Sequence, residues 1–503
     1  MPHMRVLMVS SEVYSLARTG GLGDAVEALA KGLAHRRGHG ASAAVSDSDS
    51  DTAEVLVVTP RYGSSKVPAD ARRWSQSIPL RFGHQSRAIG ILEFQRENVR
   101  YCLIEDDGLY GREGLYGDRH GPYGDDALRF ATMSLGALEI SARAFGGALP
   151  DVIHAHDWHA ALAVVYARTA LGPRFRAIPS VFTIHNLAHQ GMFDPNVLAE
   201  LGLPSSLATP SVFYERGAAN FLKAAVALAD RVTAVSPTYA RDIQTPLGGF
   251  GLHPHLAYHH EKLFGIANGI DEKAYDPEKD PFITARYEIA TAREGKRENA
   301  RALCETLGLA SGRPLFGLVA RFAEQKGIDE ALRVVPALVR RGASFVIVGM
   351  GEGHYERWAS ELGHALPRDV GVRIAFSEAL ARNVYAASDF FLVPSRFEPC
   401  GLTQMYAMRY GAIPIVSRTG GLRDTVDPID VHEGTGTGFF AKPADARSLL
   451  LACEDALALY RDAPSFDAAR VRAMQQRNDW ANAVEAYVAL YKSAIREKAE
   501  SST

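Results

Sequence analysis

Four cysteines in 503 residues, at positions 102, 304, 400 and 453, form no C-x-x-C pair and no repeated spacing. That excludes a disulfide framework and predicts reduced thiols in a reducing compartment. No apolar run approaches the ~18 residues needed to cross a bilayer. The first, Val6 to Val9, is followed at once by Ser10, Ser11 and Glu12, as a first strand is and a signal peptide is not. Charge of one sign is missing too: 55 Lys and Arg stand against 58 Asp and Glu, a net charge of −3, so neither nucleic acid nor a membrane surface is an expected partner. What is present is an ordinary globular balance, 47% hydrophobic, long enough at about 150 residues per domain for two large domains or three ordinary ones. A soluble, cytoplasmic protein is expected.

Short β-branched runs alternate with helix-period segments along most of the chain, among them Arg5–Ser10, Glu54–Thr59, Val152–Ala155, Val181–His185, Pro314–Val319, Phe345–Gly349 and Phe390–Val393. Such alternation predicts βαβ units and parallel sheets buried on both faces. The fold class expected is α/β, two Rossmann-like doubly wound domains. The alternation breaks from about Arg241 to Lys262, a Gly-, Pro- and His-rich stretch, which sets the expected domains at 1–250 and 251–478. Residues 39–52, Ser-rich and acidic, read as a flexible surface insertion. In 479–503, Val484, Tyr487, Val488 and Tyr491 recur at helix spacing and predict a terminal amphipathic helix.

In open parallel sheets ligands bind beyond the carboxyl ends of the strands, and that is where the reactive residues gather. His154, His156, Asp157 and His159 follow Val152; His185 follows Val181; Arg321 and Lys326 follow Leu318; Arg396 and Glu398 follow Val393. The strings Arg18-Thr-Gly-Gly-Leu-Gly-Asp24 and Arg418-Thr-Gly-Gly-Leu-Arg-Asp424 echo one another. Paired glycines at a helix start, Gly20 and Gly21 in the first copy, would let backbone N–H groups approach an anion or a sugar hydroxyl, which predicts such a cradle in each domain, though two tight strand-to-helix turns would need the same glycines. Arg321 and Lys326 suit a diphosphate whose leaving oxygen gains charge; the alternative is a solvated basic loop. Glu398, between an apolar strand and Gly401, could bind sugar hydroxyls or an electron-poor carbon, or simply favour a helix N-terminus. The histidine groups 154/156/159 and 253/255/259/260 lack a Cys or carboxylate set with tetrahedral spacing, so no metal is expected. Asp47-Ser-Asp49-Ser-Asp51 has no strand before it, and Gly349-Met-Gly351-Glu-Gly353 is only a partial dinucleotide fingerprint.

Together these strings resemble the bacterial glycogen synthase and plant starch synthase family. They are joined by Asp151-Val-Ile-His-Ala-His-Asp-Trp-His159, Phe182-Thr-Ile-His-Asn-Leu187, Gln190-Gly-Met-Phe193, Thr233-Ala-Val-Ser-Pro-Thr-Tyr-Ala240, Asn268-Gly-Ile-Asp271, Gln325-Lys-Gly327 and Pro394-Ser-Arg-Phe-Glu-Pro-Cys-Gly-Leu-Thr-Gln404. The resemblance implies a GT-B type retaining glycosyltransferase, with two domains facing across a cleft and the last helix crossing back to the first. It would transfer glucose from ADP-glucose to the non-reducing end of an α-1,4-glucan, without metal or other cofactor. It further implies that Arg321 and Lys326 hold the diphosphate, Glu398 lies against the glucosyl unit, and His185 and Asp157 line the reaction centre. Arg18, Gly20, Gly21, Asp24, Tyr116 and Asn268, with the backbone of Cys400, Gly401, Leu402 and Thr403, would complete the binding pocket. One motif departs: Arg18 stands where the family usually has lysine, keeping charge but not shape. UDP-glucose as donor, a small acceptor, or a catalytically weak glucan-binding regulatory protein stay open as alternatives.

Overall fold

The computed structural model describes residues 4–36, 53–118, 121–375 and 377–501. The insertion expected at 39–52 lies outside the described residues. Described residues within Met1–Val235, Ala240–Asn268 and Trp480–Thr503 form one compact unit, and those within Ser236–Tyr239 and Gly269–Asp479 a second.

The first unit is built on a ten-stranded sheet. Its parallel part runs Leu263–Gly265, Arg231–Ala234, Ser180–Ile184, Val152–His156, Met4–Val9, Ala53–Pro60, Val99–Glu105. Val6 to Val9 and Val55 to Val58 are fully buried, as strands covered by helices on both faces must be. Beyond Val99–Glu105 the sheet turns antiparallel with Gln85–Arg96 and its partner Ile78–Phe82. Here Ile78, Leu80 and Phe82 are buried while Pro79 and Arg81 are exposed, the alternation of a sheet with one wet face. A search for wholly apolar runs passes over such strands.

Helix Gly21–Ala34 buries Val26, Leu29 and Leu33 against the same core as Val484, Tyr487, Val488 and Tyr491 of helix Ala481–Glu500. The apolar stripe of that last helix is therefore paired within the first unit, and a forked ion pair from Arg36 to Glu485, at 2.6 and 2.8 Å, closes its edge. The second unit carries a six-stranded parallel sheet in the order Val370–Ile374, Ser344–Gly349, Leu315–Val319, Phe390–Val393, Ile413–Ser417, Phe439–Ala441. Phe316 packs between Phe345 and Phe390, with ring centroids 5.1 and 5.0 Å away.

Each sheet has one place where the strand order reverses. In the first unit it lies between Met4–Val9 and Val152–His156, in the second between Leu315–Val319 and Phe390–Val393. Helices leave such a pair of strands on opposite faces, opening a crevice beyond the strand ends. Asp157, His159, His185, Arg321, Lys326, Arg396 and Glu398 follow these strands or a neighbour, whereas His154 and His156, expected past a strand end, lie within Val152–His156 itself.

Candidate active site

In the first unit the turn after Met4–Val9 is organised by Glu12, which is 3% exposed. Its carboxylate accepts the Thr19 N–H at 2.8 Å, the Thr19 hydroxyl at 2.7 Å, the Gly20 N–H at 3.2 Å and the Tyr116 hydroxyl at 2.6 Å. A buried carboxylate needs such partners, and here they fix the Gly-rich turn and Tyr116 to one point. Sequence reasoning missed Glu12; the available signal was an acid directly after an apolar strand. Gly20 precedes helix Gly21–Ala34, and a Cβ built on it meets nothing within 4 Å. Arg18 reaches both oxygens of Asp24, at 2.9 and 3.1 Å, and its guanidinium lies 3.9 Å over the Tyr14 ring. Burial raises the Asp24 carboxyl above the ordinary range, against the pull of Arg18.

The sequence echo does not carry over to geometry. Helix Leu422–Thr425 has only four residues, and Cβ atoms on Gly420 and Gly421 would lie 1.9 Å from the Glu398 carbonyl oxygen and 2.4 Å from Cys400 Cα. Gly420 has φ +44°. The second glycine pair exists for close backbone approach to the 398–400 loop. Asp424, unlike Asp24, accepts from the backbone and hydroxyl of Thr238, itself part of the second unit.

At the end of Val152–His156, Asp157 is buried with φ +56°, a conformation most tolerable for Asp, Asn and Gly. Its Oδ1 accepts the N–H groups of His185, at 2.7 Å, and Asn186, at 3.3 Å. Burial nevertheless pushes its carboxyl up to about 7. His156 Nδ1 lies 3.0 Å from His185 Nε2. His154 spends Nδ1 on the Tyr491 hydroxyl, at 2.7 Å, and Nε2 on Thr183, at 2.6 Å, while His159 stacks on Tyr116 with centroids 4.6 Å apart. Burial pushes His154 and His185 down to about 3 and His156 and His159 well below their ordinary value, so these rings are neutral. Among the described residues no group of three or more His, Cys, Asp or Glu is arranged to hold a metal ion. Asn268 is buried in this unit, its N–H 3.4 Å from the Val235 carbonyl.

In the second unit the crevice brings Lys326 and Glu398 together: Nζ is 2.6 Å from Oε2, which also accepts the Ser395 hydroxyl at 2.9 Å. Glu398 is 6% exposed. Gly327, at φ +61°, lets the 324–327 turn approach Pro394, whose carbonyl oxygen would be 2.0 Å from a Cβ there. Arg321 is exposed and makes no ion pair among the described residues. Arg396 turns away to Asp329 and Glu330. Cys400 is buried, Gly401 has φ +74°, and the Gln404 amide donates to the carbonyls of both before helix Thr403–Arg409 is under way. No disulfide involves the four buried cysteines.

A family model described as the starch synthase catalytic domain matches residues 5–258, and one described as glycosyl transferases group 1 matches residues 301–469. The glycogen synthase of Myxococcus xanthus is 41% identical over 501 residues, covering 98% of this chain and all of that protein. The chain belongs to the glycogen synthase and starch synthase family. The glycogen synthase 2 of Agrobacterium fabrum is 38% identical, over 98% of this chain and 93% of its own length. The solved catalytic domain of Arabidopsis thaliana starch synthase IV, bound to ADP and acarbose, superposes with a TM-score of 0.88 at 31% identity, covering 98% of this chain and 100% of that one. A sucrose-phosphate synthase from Thermosynechococcus elongatus, at 18% identity and a TM-score of 0.61, shares the fold alone. The family confirms the two-domain, GT-B type α/β architecture and makes the protein a hexosyltransferase, a glycogen synthase by its relatives.

Proposed function

We propose that this hexosyltransferase takes glucose from ADP-glucose and adds it to the non-reducing end of an α-1,4-glucan with retention of configuration. The observation that carries the reading is the Lys326–Glu398 contact of 2.6 Å at the strand-order reversal of the second sheet. A cation beside a carboxylate suits a sugar diphosphate, the cation for the phosphates and the carboxylate for the sugar hydroxyls. On this reading Arg321 and Lys326 bind the diphosphate and stabilise the charge that develops on its oxygen as the glucosyl bond breaks. Glu398, held by Ser395, lies against the glucosyl unit. In the first unit His185 and Asp157 line the reaction centre, with Arg18, Gly20, Gly21, Asp24, Tyr116 and Asn268 as binding residues; in the second unit the backbone of Cys400, Gly401, Leu402 and Thr403 meets the phosphate or the sugar. Retention follows from return of the acceptor on the face the leaving group vacates, and no protein nucleophile is assigned.

Support for ADP comes from the starch synthase neighbour, whose structure holds ADP and acarbose. The alternative donor is UDP-glucose, and the residue that bears on donor choice is Arg18, which is fastened to Asp24 and Tyr14, a geometry a lysine would not share. The reading also places the protein in the cytoplasm, in keeping with the lack, among the described residues, of a helix long and apolar enough to cross a membrane. The test is nucleoside diphosphate release from ADP-glucose and from UDP-glucose, each with glycogen and with maltose. Release of ADP dependent on glycogen is expected. Glycogen binding without turnover, relieved by Arg18→Lys, would instead identify a glucan-binding protein that has lost catalysis.

A further inference from the structure

His156 takes no part in the site as assigned above, yet it is the only side chain within hydrogen-bond distance of the His185 ring among the described residues, with Nδ1 3.0 Å from His185 Nε2. Its own Nε2 is buried and has no hydrogen-bond partner among the described residues. Two proton placements satisfy the contact. If His185 donated through Nε2–H, the His156 proton would sit on Nε2 as an orphaned buried donor. If His156 donates through Nδ1–H, only a bare ring nitrogen is left unmatched, and orphaned buried N–H groups are the rarer and costlier of the two. His154 cannot take over: its ring lies 4.0 Å from that of His156, but both its nitrogens are spent on Tyr491 and Thr183.

We propose that His156 is a positioning residue for His185: its Nδ1–H donates to His185 Nε2, which fixes the ring's orientation and leaves His185 with its proton on Nδ1, a donor toward substrate oxygen. The inference rests on the reading that His185 lines the reaction centre, but the proton placement does not. Fixing a tautomer through a second histidine matters because the wrong tautomer presents a lone pair where an N–H is needed.

The decisive measurement uses the wild-type protein labelled with 15N-histidine, free of donor and acceptor, with the His185 signals assigned by their loss in His185→Gln. His185 is expected to be protonated at Nδ1 and bare at Nε2, and His156 likewise; a proton on His185 Nε2 overturns the proposal whatever the activity shows. Kinetics test the consequence. His156→Asn keeps an N–H near the Nδ1 position and should retain kcat within about threefold. His156→Leu removes the donor and should lower kcat by about ten- to hundredfold, with little change in donor KM. Its melting temperature should hold or rise, because a buried unmatched nitrogen goes as well. A merely structural role would lower melting temperature and activity together. Equal effects of the Asn and Leu variants, large or absent, would overturn the positioning role even with the tautomer as stated.

Discussion

Lys326 and Glu398 hold each other at 2.6 Å, so truncating the lysine does two things: it removes a cation and leaves the buried Glu398 carboxylate with the Ser395 hydroxyl but no counter-charge. Lys326→Ala should cost about 2.7–4 kcal/mol of transition-state stabilisation, a hundred- to thousandfold in kcat. Glu398→Gln is the cleaner test of the carboxylate, since the amide oxygen can still accept from Ser395 and Lys326; turnover should collapse while the melting temperature barely moves. Full activity in either variant would remove that residue from the site. Asp157 makes a different, pH-dependent prediction. Its carboxyl sits at about 7 in the folded chain against an ordinary 3.8, because burial outweighs two backbone N–H bonds. The folded state then binds the proton more tightly than the unfolded state, and stability from this group falls as pH rises from about 4 to about 7, levelling beyond. Asp157→Asn keeps the acceptor oxygen and tolerates φ +56°, but cannot ionise. The difference in melting temperature between Asp157→Asn and wild type should therefore grow in favour of the variant across that window; a difference independent of pH would contradict the raised carboxyl.

Turns with the same letters have unlike duties, and the two glycine pairs separate them. A methyl on Gly20 meets nothing within 4 Å, whereas one on Gly420 would fall 1.9 Å from the Glu398 carbonyl oxygen at a backbone φ of +44°. Gly20→Ala should leave the melting temperature nearly unchanged, because the added methyl meets nothing, and on the proposed reading of this turn as a donor contact it should show itself only in donor KM. Gly420→Ala should lower the melting temperature and also depress kcat, since the backbone that must yield is that of the proposed carboxylate. Thermal melts and donor titrations on the pair would decide it; the reverse pattern would make Gly20 the structural turn. The sequence could not reveal this difference. R-T-G-G-L-x-D is identical text in both places, and only the partners separate a helix of 14 residues from one of four. The same limit explains Glu12. Its role depends on Thr19 and Tyr116 meeting it from positions 7 and 104 residues away, a coincidence in space that spacing along the chain does not encode.

Over the whole molecule, the parts legible in advance are those whose signal is local and repeated. The apolar strands that turned out central, Val6 to Val9 and Phe390–Val393 among them, are wholly buried, and residues just past them, from His156 to Glu398, gather at the two strand-order reversals. The antiparallel flank Ile78–Phe82 with Gln85–Arg96 was hidden because half of each strand is wet. The stripe Val484, Tyr487, Val488 and Tyr491 announced an amphipathic helix but not its partner, since any apolar face would serve. That partner is specified by size. Gly32 in helix Gly21–Ala34 makes room for Val484: a Cβ on Gly32 would lie 2.4 Å from Val484 Cγ2. The last segment of the chain thus docks through a small-to-large match within the first unit, and it brings with it Tyr491, which holds His154. Gly32→Ala should overpack this contact and cost about 1–3 kcal/mol, even though alanine is the better helix former. Val484→Ala alone should also destabilise, by vacating volume. Combined, the two changes restore the fit, so the double variant should melt above the Gly32→Ala single variant; melting temperatures that fall additively would show that the helices do not meet at these two residues.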